Sequence, residues 1–296
     1  MWNDALPRNG ITNWSYFTPA GTSAAFTNSW QSWMKPAGCS WIYIFGIGSG
    51  GAGSGGNNSI PASGGGGGSG SVTRLLIPAT FVPDILYVRP AGGNNDTSST
   101  AASRASYISI APNNTAQNLI LTVTAGSGGF NATAGGGGAA ATFSSGIWMN
   151  SSLFTSIAGQ SGGAGVTTTD TAGGSVTFGA SGLPVTGGGG GGRGSGAGGS
   201  VIGAGLLPTI SGGAGTTGGN GENGFRRGQN FAPGFKLFPL LFSGGAGGGG
   251  ISTGTAGVGG RASWGCGGGG GGMANSSVVA TASSFGGDAL ILIGAF

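Results

Sequence analysis

Histidine is absent from this chain of 296 residues, and only ten basic and six acidic residues carry charge. Without histidine, the Ser-His-Asp and Cys-His arrangements have no general base, and the commonest zinc sites lose their nitrogen ligand. The two cysteines, Cys39 and Cys266, lie far apart in sequence and form no CxxC pair, so thiolates cannot fill that gap. A disulfide between them and two buried free thiols are both open. The six carboxylates, Asp4, Asp84, Asp96, Asp170, Glu222 and Asp288, stand alone in sequence, so a glycosidase pair would have to be made by folding. The expectation is a protein without catalytic activity, metal or cofactor.

Charge is thin as well as scarce. The net value is +4, yet Arg226 and Arg227 are the only adjacent basic pair. Salt-sensitive phosphate binding commonly needs about six to ten contacts from a basic patch, so nucleic acid is not an expected partner. No apolar run approaches the roughly 20 residues that span a bilayer. Met1 to Arg8 lacks the basic and apolar regions of a signal peptide. A protein soluble when made, with neither membrane insertion nor an export signal of its own, is expected.

What the chain has instead is glycine, 75 residues of it, interleaved with 15 Phe, 7 Trp and 4 Tyr. A flexible linker is normally polar and lacks such aromatics. Trp41 to Ile47, Ser71 to Ile77, Asp84 to Arg89, Ala105 to Ile110, Asn118 to Thr124, Gly138 to Phe143 and Ser175 to Phe178 read as short strands bounded by Gly, Pro or Asn. No segment keeps a 3.6-residue apolar period. The nearest, Ile147 to Ile157, is crowded with Ser, Thr and Asn, poor helix formers. Gly46, Gly48, Gly50 and Gly53 spell a dinucleotide-binding G-x-G-x-x-G after a strand, but no helix can start in the serines and glycines that follow. The fold class is therefore all-β: sandwich-like strands combined with a bundle of glycine-rich, polyproline-II-type segments, and essentially no α-helix.

After about residue 180, tracts at Gly187–Gly192, Gly212–Gly221, Gly244–Gly250 and Gly265–Gly272 recur between short apolar pieces. Glycine costs about 0.5 to 1 kcal/mol more to order than alanine, so ordered tracts must gain something alanine forbids. Close backbone approach is that gain. A polyproline-II segment has three residues per turn, rises about 3.1 Å per residue and leaves its amides free, so a tract of glycine can be touched and hydrogen-bonded on every side. The tracts are either such an ordered interior or flexible loops. Cys266, Gly267 and Gly272 fall in that interior on the first reading, and Leu290, Ile291 and Ile293 in the strand Ala289 to Phe296 that closes it. Three regions follow: an aromatic segment 1–38, a sandwich-like region 39–180 and a glycine-tract region 181–296.

Trp2, Trp14, Trp30 and Trp33 crowd the first region. They serve either as a local core or as a docking segment for a larger assembly. Recognition by loops on a rigid scaffold directs attention to Gly92–Ser103, to Trp148–Ser152 with Trp148 and Asn150, and to Gly224–Leu241 with Arg226, Arg227, Phe231 and Lys236. The last stretch suits a ligand or else a subunit contact or core-packing loop.

Trp33-Met34-Lys35-Pro36-Ala37-Gly38, the strand Trp41 to Ile47, the glycine tracts and Gly286-Gly287-Asp288-Ala289 before Leu290-Ile291-Leu292-Ile293 together resemble the glycine-rich proteins of bacteriophage virions. Those proteins have a Trp-x-x-Pro-x-Gly opening and a Gly-Gly-x-Gly element before a closing strand; Gly-Gly-Asp-Ala departs from the second. The resemblance implies a tail fibre, spike or receptor-binding adhesin at the virion surface. Implied partners are other virion proteins, further copies of the chain with a trimer favoured, and a host surface glycan or outer-membrane protein. A capsid-decorating or filament-forming protein whose tracts drive self-assembly is the alternative. If the tracts are ordered, the amides of Gly187–Gly192 and Gly267–Gly272 will exchange slowly with deuterated solvent; exchange at random-coil rates would mean flexible loops.

Overall fold

The computed structural model describes residues 13–19, 29–56, 61–93, 105–137, 139–140, 142–143, 153–179, 184–205, 207–224, 226–227, 241–275, 282 and 284–296. In chain order the strands are β1 (Asn13–Phe17), β2 (Gln31–Met34), β3 (Trp41–Ile47), β4 (Val72–Pro78), β5 (Ile85–Arg89), β6 (Ser106–Ser109) and β7 (Leu119–Val123). They continue with β8 (Thr142–Phe143), β9 (Phe154–Ile157), β10 (Val176–Thr177), β11 (Val201–Ile202), β12 (Arg226–Arg227), β13 (Leu241–Phe242) and β14 (Leu290–Ala295). The protein is all-β, as its composition predicts. Among the described residues there is no α-helix, and Ala79–Phe81 forms a 3-10 turn. The serine- and threonine-rich stretch that came nearest to a helical period ends in β9.

Two five-stranded antiparallel sheets, ordered β1-β14-β3-β4-β9 and β2-β5-β6-β7-β8, pack face to face. Alternation along each strand supplies the core. Ile42, Ile44, Leu75, Ile77, Ile291 and Ile293 of the first sheet meet Trp33, Leu86, Val88, Ile108, Leu121 and Val123 of the second. Each such side chain contributes about 1.5 to 3 kcal/mol when fully buried.

Strand β14 is apolar without alternation because both its faces are covered. Ile291 and Ile293 enter the sandwich core, while Leu290 and Leu292 join Phe45, Ile47, Val72, Val185, Phe242 and Cys266 on the opposite side of the sheet. It lies between β1 and β3, pairing Tyr16 with Leu292 and Leu292 with Phe45. The two cysteines are not joined in a disulfide: Cys266 is buried in the second cluster, whereas Cys39 is half-buried against the sandwich core.

The glycine tracts run on from the strands. Tract 48–54 continues β3, 63–71 leads into β4, 124–131 continues β7 and 158–166 continues β9. Hydrogen bonding within them repeats every three residues. Along 63–71, the N–H groups of Ser63, Gly66 and Ser69 donate to Val166, Gly163 and Gln160. Those of Gly64, Gly67 and Gly70 donate to Gly271, Gly268 and Gly265, and those of Gly65, Gly68 and Ser71 to Asn131, Ser127 and Thr124. One residue in three facing each neighbour is the geometry of a polyproline-II helix. The same tract accepts from 51–54, from Gly135 and from 188–191, so six segments surround it, three by donation and three by acceptance. Tract 267–273 obeys the same rule: 267, 270 and 273 donate to 186, 189 and 192; 268 and 271 to 51 and 54; 269 and 272 to 260 and 257. Tracts from both sides of residue 180 thus alternate in one hexagonal array.

Glycine is required here for its missing Cβ. The glycines with positive φ, Gly38, Gly179, Gly194, Gly205, Gly218, Gly254 and Gly265, sit at turns and tract ends. Inside the array a Cβ on Gly67 would lie 2.1 Å from the Gly51 carbonyl oxygen, and one on Gly267 or Gly272 within 2.1 Å of the Gly67 or Gly249 oxygen. Where an amide finds no carbonyl, a short polar side chain accepts its hydrogen bond: Ser69 from Gln160, Thr186 from Gly244, Asn220 from Val258, Asn223 from Arg261 and Asp288 from Gly93.

A matched pair of substitutions tests this. A Cβ on Gly188 would stand 2.1 Å from the Gly268 oxygen, while one on Gly136 would meet only the Ser127 hydroxyl at 3.4 Å. Gly188→Ala should cost about 1 to 3 kcal/mol or more in denaturant unfolding. Gly136→Ala should be neutral or stabilise by a few tenths.

Candidate functional site

Strand direction gives the array two distinct ends. Tracts 48–54, 124–131 and 158–166 leave the sandwich, and 186–192, 245–250 and 267–273 run parallel to 51–54 or to each other. Their last residues therefore gather at the end remote from the sandwich. The turns there are 131–134, 166–171, 193–196, 214–218, 250–256 and 273–275. Thr167, Thr168, Thr169, Thr216, Thr217, Ser252, Thr253, Thr255 and Asn275 are exposed on them. The surface is dense in hydroxyls and amides and poor in charge, because the turns carry short side chains that fold back on the backbone.

Three polar side chains hold these turns together. Asp170, in the left-handed region at φ 56°, accepts from the Ser195 amide at 2.8 Å and from Asn275 Nδ2 at 3.4 Å. Arg193 Nη1 donates to the Pro61 carbonyl at 3.0 Å and to that of Thr167. The Arg193 amide donates to Thr171 and the Gly194 amide to Met273. Gly194 has φ 62° and must be glycine, since a Cβ would meet the Asp170 carboxylate at 2.4 Å. The hydrogen bond from the Ser195 amide, followed by the one from its side chain, holds the Asp170 carboxyl below the usual range.

The residues singled out by sequence are scattered. Trp33 is 4% exposed and fills the sandwich core, so its indole serves the chain's own packing. Trp14 lies over Gly294 of β14, edge-on to Tyr43 and Phe296 with ring centroids 6.1 and 5.9 Å away. Trp30 stands beside Tyr107 and Arg89 on the second sheet. Arg226 and Arg227 form β12 and pair with Phe242 and Leu241, and Phe242 packs on Trp264. Their insertion therefore leaves the array at its sandwich end, away from the hydroxyl-rich turns. Trp2, Trp148, Asn150, Phe231 and Lys236 lie outside the described residues, as does most of Gly92–Ser103.

The structure brings together Asp170, Arg193 and Asn275, which sequence reading passed over. Their one sequence signal was position, each in a break between glycine tracts. Among the described residues no three of His, Cys, Asp and Glu gather as metal ligands, and no helix is long and apolar enough to cross a membrane. Asp84 pairs with Lys35 at 3.1 Å, while Glu222 and Asp288 accept amide hydrogen bonds from Ser211 and Gly93. These carboxylates are engaged as pairing and capping groups.

Sandwich and array define the class: a glycine-rich all-β protein. Over residues 24–107, which take in β2 to β5, the first two tracts and the start of β6, the chain is similar to the glycine-rich domain family. No curated protein sequence matches it.

Because the Asp170 pKa is lowered on folding, its contribution is complete above the ordinary carboxylate value of about 3.9 and is lost as pH falls through the lower folded value. Acid titration followed by NMR should move the Ser195 amide resonance below pH ~4, and Asp170→Asn should abolish that step. An Asp170→Asn protein that kept the step would show that another group governs the turn.

Proposed function

We propose that this is a non-enzymatic virion surface protein, a fibre tip or spike, that attaches a bacteriophage to its host through the turns at the far end of the glycine array. The observation that supports this reading most directly is the gathering of six turns, three of them rich in hydroxyls, on one end of a hydrogen-bonded scaffold. Recognition surfaces are built on loops held by rigid elements, and the array supplies rigidity without dictating what the turns contain. Any tract can be shortened or lengthened by whole turns of three residues with the lateral bonding kept. Resemblance of the tract and closing-strand motifs to virion adhesins points the same way. A glycan or an outer-membrane protein fits a surface that offers many neutral donors and acceptors and few charges. Assembly with other virion proteins and with copies of itself, a trimer favoured, belongs to the same reading.

The test is retention on cells. Fluorescently labelled protein should remain on host bacteria after washing and should slow phage adsorption in competition. Replacing Thr167, Thr168 and Thr169 together by alanine should weaken retention at least ~10-fold, since each lost neutral hydrogen bond is worth about 0.5 to 1.5 kcal/mol, with thermal stability unchanged. Protein that neither binds nor competes, but polymerises into regular filaments, would favour a capsid-decorating or filament-forming role instead.

A further inference from the structure

The outer face of the second sheet carries a group that neither the sandwich core nor the far-end turns use. Arg89 on β5 lies in a wedge between two rings, its guanidinium carbon 5.4 Å from the Trp30 centroid and 4.6 Å from that of Tyr107. The rings are 6.5 Å apart and inclined at 40°. Register builds the surroundings: Arg89 is opposite Tyr107, Tyr107 opposite Thr122, and Tyr87, two residues earlier on β5, opposite Ser32. Trp30, Tyr87, Arg89, Tyr107 and Thr122 are all partly exposed, and Ser32 is exposed.

Two other described cations spend their donors internally. Lys35 donates to the Ala79 and Val82 carbonyls and pairs with Asp84, and Arg193 donates to Pro61 and Thr167. The Arg89 guanidinium has no hydrogen-bond or ion-pair partner among the described residues. Aromatic rings engage the faces of a guanidinium but not its in-plane N–H donors. Among the described residues Arg89 is thus flanked by two rings with its fork unfilled, which is the state that a bidentate carboxylate requires. Beside that fork lie the open parts of two rings, suited to the C–H face of a pyranose, and the hydroxyls of Tyr87, Thr122 and Ser32, suited to its hydroxyl groups.

We propose that this face binds an acidic saccharide, its carboxylate on the Arg89 fork and its sugar ring against Trp30 and Tyr107. A lone arginine lacks the repeated cations that phosphate backbones demand, so a nucleic acid is not the ligand. The inference is independent of attachment through the far-end turns: the threonine-to-alanine variant that loses cell retention should bind the saccharide normally.

Trigalacturonate, its fully methyl-esterified form and a hexaglutamate peptide, titrated calorimetrically into the whole protein, test it. Trigalacturonate should bind saturably, and esterification or Arg89→Gln should weaken binding at least ~10-fold, the cost of a charge-assisted hydrogen bond. Tyr107→Ala should weaken it comparably, and Arg89→Lys should restore only part of the affinity. Tryptophan fluorescence should change on binding in the native protein and not in Trp30→Phe. Thermal unfolding of each variant separates lost binding from lost folding; if Arg89→Gln unfolds, the esterified ligand and Arg89→Lys carry the test. No saturable binding at millimolar trigalacturonate, equal binding by Arg89→Gln, or equal binding of hexaglutamate would overturn the proposal.

Discussion

Backbone touching backbone is the interaction on which this structure depends. In the array, carbonyl oxygens stand about where a Cβ would be, and that is why the tracts are glycine and not merely small. The entropic cost of ordering glycine is offset by what no other residue permits, a hydrogen bond to a different neighbour from each of three successive residues. The polar backbone becomes the interior. An ordinary core excludes water with side chains, whereas this one does so with backbone packed against backbone and amides bonded from tract to tract. Serine, threonine, asparagine and aspartate enter where the lattice would otherwise strand an N–H, as Ser69 and Thr186 do.

Such an array has no apolar face of its own, so it must be anchored to something that has one. The sandwich serves, and β14 is the junction. Ile291 and Ile293 face one core, Leu290 and Leu292 the other, and the second core ends against Cys266 and Phe242 at the near edge of the tracts. Continuity of strand into tract carries the rigidity of the sheet outward. The turns at the far end are held by a scaffold that asks nothing of their sequence beyond a few ties such as Asp170 to Ser195.

Charge is scarce, and among the described residues its uses are visible. Asp288, Glu222 and Asp170 accept backbone amides, Arg193 ties turns, and Arg74 and Arg261 lie 5.9 and 5.0 Å from the ring centroids of Phe45 and Phe285. Arg89 differs in having rings on two sides, and this sets it apart from cations used only for cohesion.

Much of the β architecture was legible beforehand. The runs at 41–47, 71–77, 84–89, 105–110 and 118–124 became β3 to β7 within a residue or two, because alternation and turn residues act locally. Strands β1 and β2 were hidden in the aromatic segment, where Trp33 looked as fit for a partner as for a core. The contacts of Asp170, Arg193 and Asn275 join residues over a hundred positions apart at the extreme, and those around Arg89 depend on sheet register; neither leaves a local trace. By itself the sequence determined that this is an all-β protein whose glycine tracts, if ordered, must gain from close approach, since composition and period report what each segment can bury. Only the tertiary structure decided which tracts are neighbours, and so which turns share an end. Runs of glycine are chemically identical along their length, so their pairing is selected by the strands that feed them and by the few polar side chains, such as Ser63 and Ser69, set among them.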